Sequence, residues 1–113
     1  MKDCLFCKIA AGEIPSTKVY EDEKVYAFLD IEPQAPFHAI VIPKRHIKSA
    51  AEITKENSDE IAAVFIAISE IAENEKLENG FRVVNNCGCD GGQTVSHIHF
   101  HLLARRNLTW PPG

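Results

Sequence analysis

The sequence predicts an α+β fold: a five-stranded, mostly antiparallel sheet carrying one long helix and a short N-terminal helix. Three observations predict it. Short β-rich runs are separated by polar or proline-containing turns, in the order β-β-β-α-β-β. One stretch repeats apolar residues at three- and four-residue steps, the period of a helix with one buried face. The connections are mostly short, which suits antiparallel neighbours with helices packed on the sheet. At 113 residues the chain supports one domain over residues 1–113, with a single core.

Residues 5–11 read as a short helix, stopped by Gly12 and Pro15. Residues 17–20 and 25–29 are β-rich and flank the polar turn Glu21-Asp22-Glu23-Lys24, so the pair reads as a hairpin. Pro33-Gln34-Ala35-Pro36 is a loop, because two prolines so close stop regular structure. Residues 37–42 form a third strand, ended by Pro43. In the long helix, Ile61, Val64, Phe65, Ile68, Ile71 and Ala72 make one apolar stripe. Asn57 with Glu60 resembles a capping box, and Asn79-Gly80 marks the stop. Residues 81–85 and 95–103 are the last two strands, joined by the glycine-rich loop Cys87-Gly88-Cys89-Asp90-Gly91-Gly92. The tail from Trp110 has no regular structure of its own.

The formal net charge is −4, which argues against a strongly basic nucleic-acid binder. Lys44, Arg45 and Lys48, and Arg105 with Arg106, read as solvated surface. Asp3, Lys8 and Glu13 interrupt any apolar leader, and no apolar run approaches the roughly 18 residues that span a bilayer. A cytoplasmic protein without a membrane segment is expected. Cysteines of such a protein stay reduced. Cys4-x-x-Cys7 has the spacing of half a zinc site, and equally of two packing residues on a short helix. Cys87 and Cys89 read as loop thiols.

The informative stretch is Ser96-His97-Ile98-His99-Phe100-His101-Leu102-Leu103. In a strand, alternate side chains face opposite sides, so the three histidines line one face while Ile98, Phe100 and Leu102 enter the core. A polar outer face, a metal site and catalysis by a histidine nucleophile or base all fit that pattern. The preceding Gly91-Gly92-Gln93-Thr94 favours catalysis. Its glycines permit close backbone approach, its N–H groups can form an anion nest, and Thr94 adds a hydroxyl.

These histidines, alternating with apolar residues, resemble the motif of the histidine triad family. The resemblance extends to Cys4-Leu5-Phe6-Cys7-Lys8-Ile9, Gly12-Glu13-Ile14-Pro15, Ala27-Phe28-Leu29-Asp30-Ile31, Pro36-Phe37-His38 and Val41-Ile42-Pro43-Lys44. The ending Trp110-Pro111-Pro112-Gly113 is similar to the branch called histidine triad nucleotide-binding proteins. The resemblance implies a phosphoramidase-type hydrolase that cleaves the P–N bond of purine nucleoside (adenosine) 5′-phosphoramidates through a nucleotidyl-histidine. It implies His99 as nucleophile, oriented by the main-chain carbonyl of His97. His101 is then the group that contacts phosphate and protonates the leaving amine, and His38 the histidine that supports this proton network. Asp30 and Ile31 would line ribose and base, and Asn86, Gly92, Gln93 and Thr94 the phosphate side, together with His99 and His101. Cys4, Cys7, His46 and His97 match the family's set for a structural zinc ion; no organic cofactor is implied. The family assembles as homodimers, in which Trp110 would reach the leaving-group side of the pocket. A dinucleoside polyphosphate hydrolase and a nucleotide-binding interaction module with little turnover are the competing readings.

Overall fold

The computed structural model describes residues 3–113; the reading of a leaderless start at Met1 and Lys2 falls outside them. A short helix α1 (Leu5–Ala10) precedes the strands β1 (Lys18–Glu21), β2 (Val25–Leu29) and β3 (Phe37–Pro43). A single 3-10 turn (Ala50–Glu52) leads to the long helix α2 (Ser58–Asn74), followed by β4 (Phe81–Val84) and β5 (Phe100–Ala104). The strands form one sheet in the order β1-β2-β3-β5-β4, and every neighbouring pair is antiparallel. This is the fold class that the sequence predicts. No helix among the described residues is long and apolar enough to cross a membrane.

The β1–β2 turn is built by Asp22. Its Oδ1 accepts from the N–H groups of Lys24 and Val25, both at 2.8 Å, and its Oδ2 accepts from the Tyr20 hydroxyl at 2.7 Å. From there the period of two sorts the sheet. Val25, Ala27, Ala39, Val41, Phe100 and Leu102 face α2 and pack on Val64, Ala67, Ile68 and Ile71. Tyr26, Phe28, Ile40 and Ile42 face the opposite side and pack on Cys4, Phe6 and Ile9 of the N-terminal segment. The central strand β3 is therefore buried along its whole length.

Helix α2 departs from expectation at three points. Asn57 is its N-cap residue, but the capping box with Glu60 does not form. The Asn57 side chain turns back, accepting from Thr54 N–H at 2.7 Å and donating to the Glu52 carbonyl at 3.0 Å. The helix ends at Asn74, five residues before Asn79. Lys76 adopts a left-handed φ of 57°, and the bonds Lys76 N–H to Glu73 and Leu77 N–H to Ala72 close the end. That turn lets Leu77 pack on the core. Phe65, placed in the buried stripe by its spacing, is 48% exposed and only meets Phe100 edge-on at 5.5 Å. Ala67 occupies the buried position instead.

Candidate active site and metal centre

The last strand begins at Phe100, not at residue 95, and the cause lies in β3. The β3–β5 ladder runs out at Val41 opposite Phe100, close to Pro43, which has no N–H to extend it. The chain before Phe100 finds other partners. Ile98 N–H donates to the Ile47 carbonyl at 2.7 Å, His97 Nε2–H to the Pro43 carbonyl at 2.8 Å, and Asn85 Nδ2–H to the His99 carbonyl at 2.9 Å. Ile98, Phe100 and Leu102 still enter the core. Freed from the pleat, however, His97 does not line up beside His99 and His101.

His97 instead joins Cys4, Cys7 and His46. One ligand atom from each lies within 4.8 Å of every other. Nδ1 of His97 is 3.2 Å from the Cys4 sulfur and 3.4 Å from the Cys7 sulfur, and His46 Nδ1 is 3.5 Å from the Cys7 sulfur. A tetrahedral ion with Zn–S near 2.3 Å and Zn–N near 2.0 Å sets sulfur and nitrogen about 3.5 Å apart, so the set fits zinc. The protons fit as well. Because Nε2–H of His97 is spent on Pro43, Nδ1 offers its lone pair to the cluster. Burial holds the ring neutral, its pKa down to about 4 despite the Pro43 bond. Burial and the adjacent Cys4 sulfur push the Cys7 thiol up to about 11. Cys7 therefore keeps its proton unless a bound cation displaces it.

His99 and His101 sit on the α1 face, with their protons placed by the backbone. Nδ1–H of His99 donates to the His97 carbonyl at 2.8 Å, the contact implied by the resemblance. The Nε2 lone pair is thereby left open. The residue is only 3% exposed, and Phe6 packs edge-on against its ring at 5.0 Å. Yet no buried side-chain nitrogen or oxygen among the described residues lacks a hydrogen-bond partner, and His99 Nε2 pairs with none of them. That nitrogen therefore reaches the surface.

The second chain of protons starts at Gln34. Its main-chain N–H donates to His38 Nδ1 at 3.0 Å, so the His38 proton is on Nε2. Nε2–H donates to His101 Nδ1 at 2.8 Å, and the Asp30 carboxylate lies 3.4 Å away. His101 in turn carries its proton on Nε2, pointing away from His38. Burial lowers the pKa of both rings; the Asp30 charge opposes this only in part. Protonating His101 would set two N–H groups against each other at 2.8 Å. His101 therefore presents its Nε2–H outward as a directed donor, with its charged form disfavoured by burial. The same logic disposes of Asp30, His38 and His101 as a metal site, although their ligand atoms cluster within 4.8 Å. Ligation through His38 Nε2 would move its proton to Nδ1, into the Gln34 N–H.

A cavity of about 510 Å³ adjoins the histidine cluster through two of its walls, Phe6, which packs on His99, and Asp30, 3.4 Å from His38; none of its lining residues is a histidine. Phe6, Ile9, Phe28 and Ile40 give it apolar walls, and Asp30 and Ile31 line it as well. Asp30 Oδ1 accepts from Glu32 N–H at 2.8 Å and keeps lone pairs for a ligand. Ile31 is 95% exposed at the rim of this cavity. A second cavity, lined by His46, Thr94 and Ser96 among others, opens on the metal-cluster side.

The glycine-rich loop is more ordered than its composition suggests. Gln93 donates through Nε2 to the Lys48 and Val95 carbonyls, accepts from Gly88 N–H through Oε1, and spends its own N–H on the Gly88 carbonyl. Its half-buried side chain is a strut across the loop, with both amide protons given to main-chain carbonyls. Gly92 N–H is bonded to the Cys89 carbonyl, whereas Thr94 is exposed. Asn86 is half-buried, and its neighbour Asn85 is the residue bonded to the His99 backbone. Gln34 and Phe6 are the contributors that sequence reasoning passes over; Gln34 acts through its backbone N–H, and Phe6 reads as core.

An open antiparallel sheet that presents imidazoles of assigned tautomer beside an apolar cavity, next to a Cys2His2 cluster, defines a histidine triad type of α+β domain. The profile of the HIT domain matches residues 11–108. The chain belongs to this family. A 14 kDa zinc-binding protein of Zea mays is 47% identical over 111 residues, spanning 96% of this chain and 87% of its own. The crystal structure of a HIT family hydrolase from Legionella pneumophila superposes with a TM-score of 0.95 at 50% identity, covering 98% of this chain and 100% of that one. A histidine triad nucleotide-binding protein from Candida albicans superposes with a TM-score of 0.85 at 34% identity, over 96% and 83% of the two chains.

Proposed function

We propose that this protein hydrolyses purine nucleoside 5′-phosphoramidates, releasing AMP from an adenosine phosphoramidate through a nucleotidyl intermediate on His99. The observation that carries the reading is the His99 tautomer: its Nδ1–H is tied to the His97 carbonyl at 2.8 Å, leaving Nε2 as a nucleophile. The base and ribose enter the apolar cavity, with the Asp30 carboxylate accepting from the ribose hydroxyls and Ile31 covered by the purine. His99 Nε2 attacks the α-phosphorus. The P–N bond breaks toward nitrogen, which leaves with a proton drawn from solvent water and relayed through His101 Nε2–H. His101 Nε2–H steadies the charge on the phosphoryl oxygens, with Thr94 and the turn from Asn86 to Gly92 on the same side. Water then cleaves the phosphohistidine bond. The hydrolase and nucleotide-binding names of the Legionella and Candida proteins support this reading.

Cys4, Cys7, His46 and His97 hold a structural zinc in the same proposal, which the name of the maize relative supports. The ion would tie α1 to the segment that carries His99, and so fix the wall formed by Phe6. A homodimer completes it. Phe65 and Ile66 on α2 and Phe81 on the edge strand β4 are exposed apolar groups that a second copy would cover.

The test is AMP release from an adenosine phosphoramidate by the purified protein and by His99→Asn. Turnover should vanish in the variant, while nucleotide binding persists. Undiminished turnover in His99→Asn would exclude the covalent route. Faster cleavage of a dinucleoside polyphosphate would move the assignment to that substrate class.

A further inference from the structure

Two thiols in the turn after β4 play no part in the reaction above. Cys87 and Cys89 are both exposed and both free, whereas Cys4 and Cys7 belong to the metal cluster. Gly88 between them has a φ of 70°, which folds the chain back. Residues two apart are separated by at most about 7 Å between Cα atoms, and a turn shortens that into the roughly 4.4–6.8 Å span of a disulfide.

The two sulfurs are not equivalent. The Ser49 hydroxyl, with lesser contributions from the Ala51 and Ala50 main chain, holds the Cys87 thiol below its ordinary range. Ser49 Oγ itself accepts from Ala51 N–H at 3.2 Å, so its own proton is available to the sulfur. The Cys87 backbone is pinned in place. A Cβ at Gly91 would stand 2.5 Å from the Cys87 carbonyl oxygen, and Gln93 clasps Gly88 by two hydrogen bonds. This thiol therefore sits on a held turn and is open to solvent.

We propose that Cys87 and Cys89 form a peroxide-reactive dithiol, with Cys87 as the attacking sulfur and Cys89 as the resolving one. The Cys87 thiolate attacks the O–O bond of a hydroperoxide, keeps one oxygen as a sulfenic acid and releases water or the alcohol. The Cys89 thiol then attacks the Cys87 sulfur; the S–S bond forms and the sulfenic oxygen departs as water. Two thiols lose two electrons and one peroxide is reduced. Closing the bond pulls Cys87 from Ser49 and reshapes the turn that Gln93 holds, next to Thr94. The thiol chemistry stands apart from the proposed hydrolysis and is tested without it.

Metal-loaded protein is treated with hydrogen peroxide, alkylated, digested and mapped by mass spectrometry. The peptide containing both residues should emerge about 2 Da lighter and unalkylated, and regain both alkyl groups after dithiothreitol. In Cys89→Ser, Cys87 should stop at a sulfenic acid that dimedone traps. In Cys87→Ser, Cys89 should stay alkylatable at the same dose. An unchanged peptide, equal oxidation of the two single variants, or oxidation confined to Cys4 and Cys7 would overturn the proposal.

Discussion

His38 makes two bonds with opposite ends of one ring, and two substitutions separate them. The amide of asparagine reaches the place of Nδ1, and the amide of glutamine the place of Nε2. His38→Asn can still accept from Gln34 N–H but no longer reaches His101. His38→Gln can still donate to His101 Nδ1 but abandons Gln34. A hydrogen bond of this kind is worth about 0.5–1.5 kcal/mol net, and 1.36 kcal/mol is about tenfold in rate. Without its partner His101 is free to turn and to place its proton on the wrong nitrogen, so kcat of His38→Asn should fall about tenfold with KM little changed. His38→Gln should keep kcat within about threefold but lose about 1 kcal/mol of stability, for the N–H orphaned at Gln34. Steady-state AMP release and urea unfolding measure the two quantities. Equal rate losses in both variants, or the greater loss in His38→Gln, would refute the proton chain from Gln34 to His101.

Metal analysis should find about one zinc per chain in the purified protein and none in a Cys4→Ser, Cys7→Ser double variant, since the proposed site supplies four ligands to one ion; equal content in the two would remove the site. Asp22→Ala should cost about 1–3 kcal/mol in urea unfolding at pH 7, because it strips acceptors from Tyr20, Lys24 and Val25. Burial raises the Asp22 pKa, but those donors outweigh it and the net shift is downward. The advantage of the wild type is therefore complete above the unfolded value of 3.8 and fades as pH falls through the lower folded value. His38 and His101 are also shifted down, from 6.5, so the unfolded chain binds more protons than the folded one below that pH. Stability should be full above pH 6.5 and decline on acidification toward the folded values. Thermal unfolding at pH 7.5 and pH 5.5 reads this, and the difference should shrink in His38→Gln.

Some of the site was legible because its cause is local. The alternation of Ile98, Phe100 and Leu102 with histidines says which side of the chain meets the core, since the pleat has a period of two wherever the strand lies. The sequence cannot show where that strand begins. The missing N–H of Pro43 and the carbonyl of Ile47 decide it, and both come from a segment about fifty residues away. Their effect turns His97 out of the ladder and into the cysteines of α1. Asn85 and Asn86 are equivalent by composition, and only the register of β4 against β5 brings Asn85 to the His99 carbonyl. Gln93 reads as a phosphate donor beside glycines, until the carbonyls of Lys48 and Val95 are seen to take its amide protons.

By itself the sequence determined the fold class and the order of the strands along the chain, which follow from periodicity and turn chemistry acting over a few neighbours; its resemblance to a family, not periodicity, pointed to the particular histidines and cysteines. Only the tertiary structure decided which nitrogen of each histidine carries its proton. That choice is made by main-chain donors and acceptors (Gln34 N–H, and the carbonyls of His97 and Pro43) whose positions exist only once the chain has folded.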